Sequence, residues 1–307
     1  MIGINSIASY IPENTSSNLE YLDKFSIDEK FLKEKVGVFE KKYASENQPA
    51  SDLALKALEN LINKTKIDEK DIDILVVVTQ NPDSNIPHVS GILHNKANLK
   101  KNCLTFDISL GCSGYVYGLS VMKSVMEANS LENGILITAD PYSKIVNPDD
   151  KNTFFLFGDA ASATLLSTDY KYNLDSFAYG SLGDNVGGLV VKDSELSMNG
   201  REVFNFAIKE VPANILDLLK KQNLSISEVD YFVFHQGSKF ILDSLAKRLK
   251  IPHEKMANEL SKTGNTVSSS IPLILESHLD KPYFERILLA GFGVGFSYAS
   301  SIISKYG

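Results

Sequence analysis

Cys112 stands in the run FDISLGCSGYVYGLSVMKSV, residues 106 to 125, where a short strand-like stretch enters the turn Gly111-Cys112-Ser113-Gly114. Tyr115, Leu119, Met122 and Met126 then recur at helical spacing. A cysteine so placed sits at a helix N-terminus. Unpaired N–H groups and the helix dipole favour the thiolate there, so a lowered pKa and a nucleophilic sulfur are expected. The competing reading is a buried cysteine that tightens a strand–helix junction. Small neighbours, which leave room for a substrate carbonyl against the backbone, favour the nucleophile. Cys103, in KKNCLTF, lacks such a turn and reads as packing.

Three further constellations could serve that sulfur. In YFVFHQGSKFILDSLAKRLK an apolar strand ends at His235, and Gly237 and Ser238 open the next helix. The carboxyl end of a strand is where α/β sites gather, and a histidine there suits proton transfer or donation; a capped surface histidine is the alternative. His88, His94, His253 and His278 do not follow a strand into a glycine turn. In TGNTVSSSIPLIL, Asn265 either caps the following helix or turns its carboxamide to a ligand carbonyl, where it would stabilise developing negative charge. Gly291, Gly293 and Gly295 in ILLAGFGVGFSYASSII fail as a nucleotide fingerprint, with no helix after them. Glycines in strands mark bends or close backbone approach, and close approach beside a nucleophile supplies N–H donors.

The elements that must carry these residues alternate between two kinds. Ile74–Thr79, Gly134–Thr138, Tyr231–Phe234 and Ile287–Ala290 read as buried strands, and Ser51–Ile62, Glu210–Leu219 and Lys239–Leu249 as amphipathic helices, the first with a Ser/Asp cap. The alternation argues for α/β layers. IDEKDIDILVVVTQ (67–80) and ISEVDYFVFHQ (226–236) share a plan: acidic residues, a strand starting from an Asp, then Gln. Either helix–turn–strand units merely look alike, or the chain is a duplicated α/β half with its site where the halves meet.

Composition narrows the functions. The 307 residues are 43% hydrophobic and 22% charged, ample for packed cores, and 31 basic against 38 acidic residues give a net charge of −7. A nucleic-acid partner is not expected of an acidic chain. Two cysteines are too few for a disulfide scaffold. The N-terminus does not read as a signal peptide and the longest apolar runs are of strand length, so a soluble, cytoplasmic protein without membrane contact is expected.

Taken in order, Cys112, His235 and Asn265 followed by GFGVGFSYASS resemble the ketoacyl-ACP synthase III family of the thiolase superfamily. The similarity runs almost the full length and includes IASYIPEN, FLKEKVGVFEKKYA, DISLGCSGY, FGDAASATLL, MNGREVFNFA, the HQ turn and GNTVSSSIP. The resemblance implies a thiolase-like fold of two duplicated halves in five layers, αβαβα, with residues 1–166 carrying the cysteine and 167–307 the histidine and asparagine. It implies an acyltransferase without a metal or permanently bound cofactor. An acyl group passes from acyl-CoA or acyl-ACP to Cys112 and is condensed, with loss of CO2, with malonyl-ACP held by His235 and Asn265. The N–H groups of Cys112 and Val294 would form the oxyanion hole, with Phe292 and Gly293 beside it.

Departures from the family cluster outside that set. FGGGF becomes Phe292-Gly293-Val294-Gly295-Phe296, and a valine must keep an ordinary φ or store strain. The adenine-stacking tryptophan falls at Phe31, and the two phosphate-binding arginines at Lys35 and Lys151, which lose the planar guanidinium. A following arginine becomes Phe240. Weaker CoA binding, or acyl-ACP as donor, is expected. Lys247 and Arg248 match the family's surface for the acyl carrier protein, where the plain alternative is a solvated helix face. The family forms homodimers, and Ile86 falls where an aromatic ring closes the partner's acyl pocket, which suggests room for a longer or branched primer. Two other readings stay open: acyl transfer to an amine or hydroxyl without malonate, and a non-catalytic subunit of a heteromeric synthase.

Overall fold

The buried apolar runs form the parallel strand pairs of two half-sheets built to one plan. The computed structural model describes residues 1–279, 281 and 284–306. In the first half lie β1 (Gly3–Tyr10), β2 (Ile74–Val78), β3 (Leu104–Ile108), β4 (Asn133–Ala139) and β5 (Ala161–Ser167). In the second lie β6 (Tyr172–Ser181), β7 (Tyr231–Phe234), β8 (Arg286–Gly293) and β9 (Ser297–Lys305). The hydrogen-bonded order is β7-β8-β9-β6-β1-β5-β4-β2-β3. In the first half β2 lies parallel to β4, and β4, β5 and β1 follow antiparallel; in the second β7 lies parallel to β8, and β8, β9 and β6 follow antiparallel. Where β3 stands in the first half, the second has a single bridge between Phe232 and Met256. The halves join through two residue pairs, Gly3 with Asn173 and Ile4 with Tyr172. The division expected between 166 and 167 falls inside β5, one residue before its end.

Six main helices complete the layers: α1 (Ala50–Thr65), α2 (Val89–Lys96), α3 (Gly114–Asn129), α4 (Gly200–Lys221), α5 (Lys239–Leu249) and α6 (Ser270–His278). α1 and α2 cover the outer face of the first sheet, and α4 and α5 that of the second. Between the sheets lie α3, which touches β2, β4, β8 and β9, and α6, which touches β1, β5 and β7. The αβαβα order is therefore present. The middle core joins Val76, Leu119 and Met122 to Val233, Ile271 and Leu289, all fully buried. No helix among the described residues is long and apolar enough to cross a membrane.

The repeat seen in the sequence has a physical basis. Asp73, before β2, accepts from the backbone N–H groups of Glu132 and Asn133 at the start of β4, at 2.9 and 3.1 Å. Asp230, before β7, accepts from Glu285 and Arg286 at the start of β8, at 2.9 and 2.8 Å. Each aspartate satisfies amides that enter the sheet before their ladder begins. Two helix starts differ from expectation. The cap of α1 comes from Asp83, whose carboxylate accepts from Ser51 N–H at 2.8 Å, and not from the side chains of Ser51 or Asp52. The helix read as starting at Glu210 begins at Gly200, capped by Asn199, and tolerates Pro212 in its interior.

Candidate active site

Cys112 lies between the end of β3 and the start of α3, 4% exposed. The end of β8 passes against it so closely that only glycine fits. A Cβ on Gly293 would lie 2.8 Å from the Cys112 sulfur, and one on Gly291 would lie 2.7 Å from the Cys112 carbonyl oxygen. The approach turns the N–H groups of Cys112 and Val294 to the sulfur, where both favour negative charge. Val294 is not among the residues with positive φ; the turn is taken by Gly295 at +128°, so the valine carries no such strain.

The expected drop in the thiol pKa is not found. Burial, followed by the negative charge of Asp140, pushes Cys112 well above the usual thiol range, and the two N–H groups offset this only in part. Sequence spacing locates a helix N-terminus, but removal from water outweighs it. The resting group is a neutral thiol.

His235 follows β7 and donates its backbone N–H to Ala290 at 2.8 Å. Its ring meets Phe292 edge-on at 5.5 Å. Burial lowers its pKa to about 3, with the Val267 carbonyl acting weakly in the opposite direction, so the imidazole is neutral. Ser270 Oγ gives its hydrogen to the Val267 carbonyl at 3.0 Å and lies 2.9 Å from His235 Nδ1. That network assigns the ring hydrogen to Nδ1 and leaves the Nε2 lone pair toward Asn265, whose Nδ2 is 3.5 Å away.

Asn265 does not cap the following helix, whose N-cap is Ser269; its side chain closes the turn before it and faces His235. Its Oδ1 accepts from Val267 N–H at 2.9 Å, closing the turn before α6, and this fixes Nδ2 toward His235. Val267 does this from φ +52°, a left-handed conformation that is costly for a β-branched residue. Its N–H orients Asn265 and its carbonyl engages Ser270, so one strained residue sets both partners of the thiol.

Asp140 was not singled out from the sequence. Fully buried, it accepts from Gln80 N–H at 2.8 Å, from Thr79 Oγ1 at 3.2 Å and from Ser268 Oγ, tying the end of β2 to the Asn265 turn. Burial raises its pKa to about 6.

Cys112, His235, Asn265, Phe292 and Gly293 line one cavity of ≈ 420 Å³, whose mouth holds Phe31, Lys35 and Lys151. Arg201, Phe204 and Phe240 share that mouth and were not foreseen as a group, because Phe240 comes from α5 and the other two from α4. Lys35 Nζ sits 3.6 Å over the Phe240 ring, which stacks on Phe204 at 4.9 Å. Lys151 lies 5.3 Å from the Phe31 ring centre. Lys247 and Arg248 are exposed on the last turn of α5, away from the cavity. Ile86 is 88% exposed and does not line the cavity of its own chain. Cys103 packs in the outer core of the first half.

The sequence matches the family described as 3-oxoacyl-[acyl-carrier-protein (ACP)] synthase III over residues 106–183, and its C-terminal part over 219–305. It is 32% identical to a beta-ketoacyl-[acyl-carrier-protein] synthase III of Fusobacterium nucleatum and 30% to one of Lactococcus lactis, with 98% of each chain covered in both cases. A crystal structure of a 3-oxoacyl-(acyl-carrier-protein) synthase III overlays with a TM-score of 0.93 at 32% identity, covering 99% of both chains.

Proposed function

The chain belongs to the 3-oxoacyl-ACP synthase III family, a family of acyl-transferring condensing enzymes with the thiolase-like fold, and on that premise we propose the roles of its residues. The observation that carries the reading is the shared cavity of a buried thiol with two inward N–H groups, a neutral imidazole and an oriented carboxamide.

Cys112 is the nucleophile. Its sulfur bonds to the acyl carbon as the bond from that carbon to the pantetheine sulfur breaks. The thiol proton passes to His235 Nε2 and on to the departing thiolate, since burial makes the imidazolium short-lived. The N–H groups of Cys112 and Val294 hold the oxyanion. The malonyl thioester then loses its carboxylate as CO2 and its electron pair becomes an enolate, with the oxygen between Asn265 Nδ2 and His235. The enolate carbon attacks the acyl carbon, the bond to Cys112 breaks, and the cysteine thiolate takes up a proton. Ser270 can turn to donate to Nδ1, so the ring can present a hydrogen on Nε2 for this second step.

At the mouth, Lys35 is engaged on the Phe240 ring, while Arg201 offers the planar guanidinium that Lys35 and Lys151 lack. A phosphate of the pantetheine arm is thus proposed to meet Arg201 and Lys151, with Phe31 and Phe240 as its apolar surroundings. The acyl carrier protein is proposed to dock at Lys247 and Arg248. A homodimer is proposed through β3, the edge strand of the first half. Its Leu104 is exposed and its Phe106 and Ile108 are only partly buried, and an apolar edge favours a second strand. Ile86, exposed here, would then reach the partner's pocket.

The decisive experiment is intact-mass detection of acyl-Cys112 with a panel of acyl-CoA and acyl-ACP donors, followed by malonyl-ACP and measurement of CO2. Acylation with CO2 release supports condensation. Acylation without CO2 in any donor combination favours transfer to an amine or hydroxyl, and full biological activity of Cys112→Ala favours a structural subunit.

A further inference from the structure

The proposed condensation consumes a proton. The malonyl carboxylate leaves as CO2, the electron pair of the broken bond makes the new carbon–carbon bond, and the sulfur released from the acyl carbon needs a hydrogen that neither substrate supplies. Burial and the negative charge of Asp140 oppose a free thiolate at Cys112, so that carbon–sulfur bond breaks as the proton arrives. The cavity of Cys112 is a poor route for it. Its lining is largely apolar, with Val36, Phe155, Phe157 and Leu189, and the pantetheine arm occupies it during this step.

A second cavity, of ≈ 110 Å³, lies behind the histidine and is lined by Gln236, Glu259, Thr263, Thr266 and Ser270, together with Ile11 and Leu273. Glu259 and Ile11 are exposed, so this space reaches the surface, whereas Gln236 and Ser270 at its inner end are buried. At roughly 30 Å³ each, about three waters fit, and the polar lining gives them partners. The Glu259 N–H donates to Gln236 Oε1 at 3.0 Å, tying the outer end of the cavity to the residue after His235.

Ser270 stands between the two spaces. Its Oγ is 2.9 Å from His235 Nδ1, while the other ring nitrogen, Nε2, faces Asn265 in the first cavity. When Ser270 turns its hydrogen from the Val267 carbonyl to Nδ1, the lone pair that had accepted from Nδ1 is free to take a hydrogen from water.

We propose that the second cavity is the proton inlet of the condensation step, and that Ser270 relays protons from water held there to His235. As the enolate carbon bonds to the acyl carbon, the hydrogen on Nε2 passes to the departing Cys112 sulfur. Ser270 Oγ gives its hydrogen to Nδ1 and takes one from water, which a hydronium ion or buffer acid restores at the exposed end. The ring returns to its resting form, with hydrogen on Nδ1 and a lone pair on Nε2. Ser270 thus acts through His235 and does not touch the substrate. The inference rests on the reading of the site as condensing.

The test is a single turnover of preformed acetyl-Cys112 with malonyl-ACP by rapid quench in mixtures of H2O and D2O, beside the rate of acetylation by acetyl-CoA. In the unaltered protein condensation should slow in D2O with a bowed dependence on deuterium fraction, since more than one hydrogen moves. Ser270→Ala should slow condensation about 10²-fold, the lower range for a positioned proton donor, and make that dependence linear, while Ser270→Thr restores both. Leu273→Phe, which fills the second cavity from α6, and Thr266→Val, which removes a hydroxyl from its lining, should each slow condensation several-fold with acetylation little changed. Should Ser270→Ala not fold, these two variants carry the test. A linear or absent deuterium dependence in the unaltered protein overturns the proposal, as does a bowed one retained in Ser270→Ala or unchanged condensation in both cavity variants. Absence of acetyl-Cys112, or of CO2 from a protein that acetylates, instead overturns the condensing reading on which it stands.

Discussion

The backbone N–H of Val267 donates to Asn265 Oδ1 at 2.9 Å from a left-handed conformation, φ +52°. The carboxamide that faces His235 is thereby oriented by a residue whose own backbone is unfavourable. Val267→Gly removes the conformational cost, about 1–3 kcal/mol, and loses a buried side chain worth about 1.5–3 kcal/mol. Thermal unfolding should therefore show a stability within about 2 kcal/mol of the unaltered protein, since these two terms oppose. Val267→Pro, which can neither take that φ nor donate, should lose condensation while Cys112 still acylates.

Asn265→Ala separates the two steps. Acyl-Cys112 should form within a few-fold of the normal rate, whereas malonyl-dependent CO2 release should fall about 10²- to 10³-fold, the usual loss for one oxyanion donor. Parallel intact-mass and CO2 assays read both. Equal losses in the two would remove Asn265 from the enolate step.

Asp140 gives a pH signature. Its folded pKa, about 6, lies above the ordinary 3.8, so folding favours the protonated form. That stability is fully present below pH 3.8, fades as pH rises through 6, and amounts to roughly 3 kcal/mol from 1.36 kcal/mol per pKa unit. Asp140→Asn should gain stability relative to the unaltered protein as pH rises from 4 to 8, read by denaturant unfolding at each pH. Loss of the carboxylate also removes one cause of the raised Cys112 pKa, so the pH midpoint of iodoacetamide alkylation should fall.

The mouth and the helix face should respond to different substrates. Arg201→Ala should raise KM for acyl-CoA about tenfold, the equivalent of one charge-assisted contact, with kcat nearly unchanged. Lys247→Glu with Arg248→Glu should raise KM for malonyl-ACP alone. Steady-state kinetics with both substrates varied would detect a crossover of these effects, which would exchange the two assignments.

Cys112, His235 and Asn265 were legible because each sits at a strand end or glycine turn, where neighbours in sequence are also neighbours in space. The pairing of Asp73 and Asp230 was legible in outline for the same reason. Asp140 was not, since its partners come from positions 79, 80 and 268, and nothing in TADPYSK announces them. The mouth formed by Arg201, Phe204 and Phe240 depends on two helices meeting. The thiol pKa was misjudged because the local rule at a helix N-terminus is visible in sequence, while the depth of burial is a property of the whole fold. The cap of α1 was misplaced because Asp83 lies over 30 residues away.

Gly111-Cys112 leads into α3 as Gly264-Asn265 leads into α6, and these two helices form the middle layer. Cys112 and the Asn265 carboxamide thus hold corresponding stations in two copies of one plan, and both line one cavity. A cavity that draws one residue from each half does not multiply with the halves that surround it. Two repeats make one reaction centre, and each polypeptide should titrate with a single acyl equivalent.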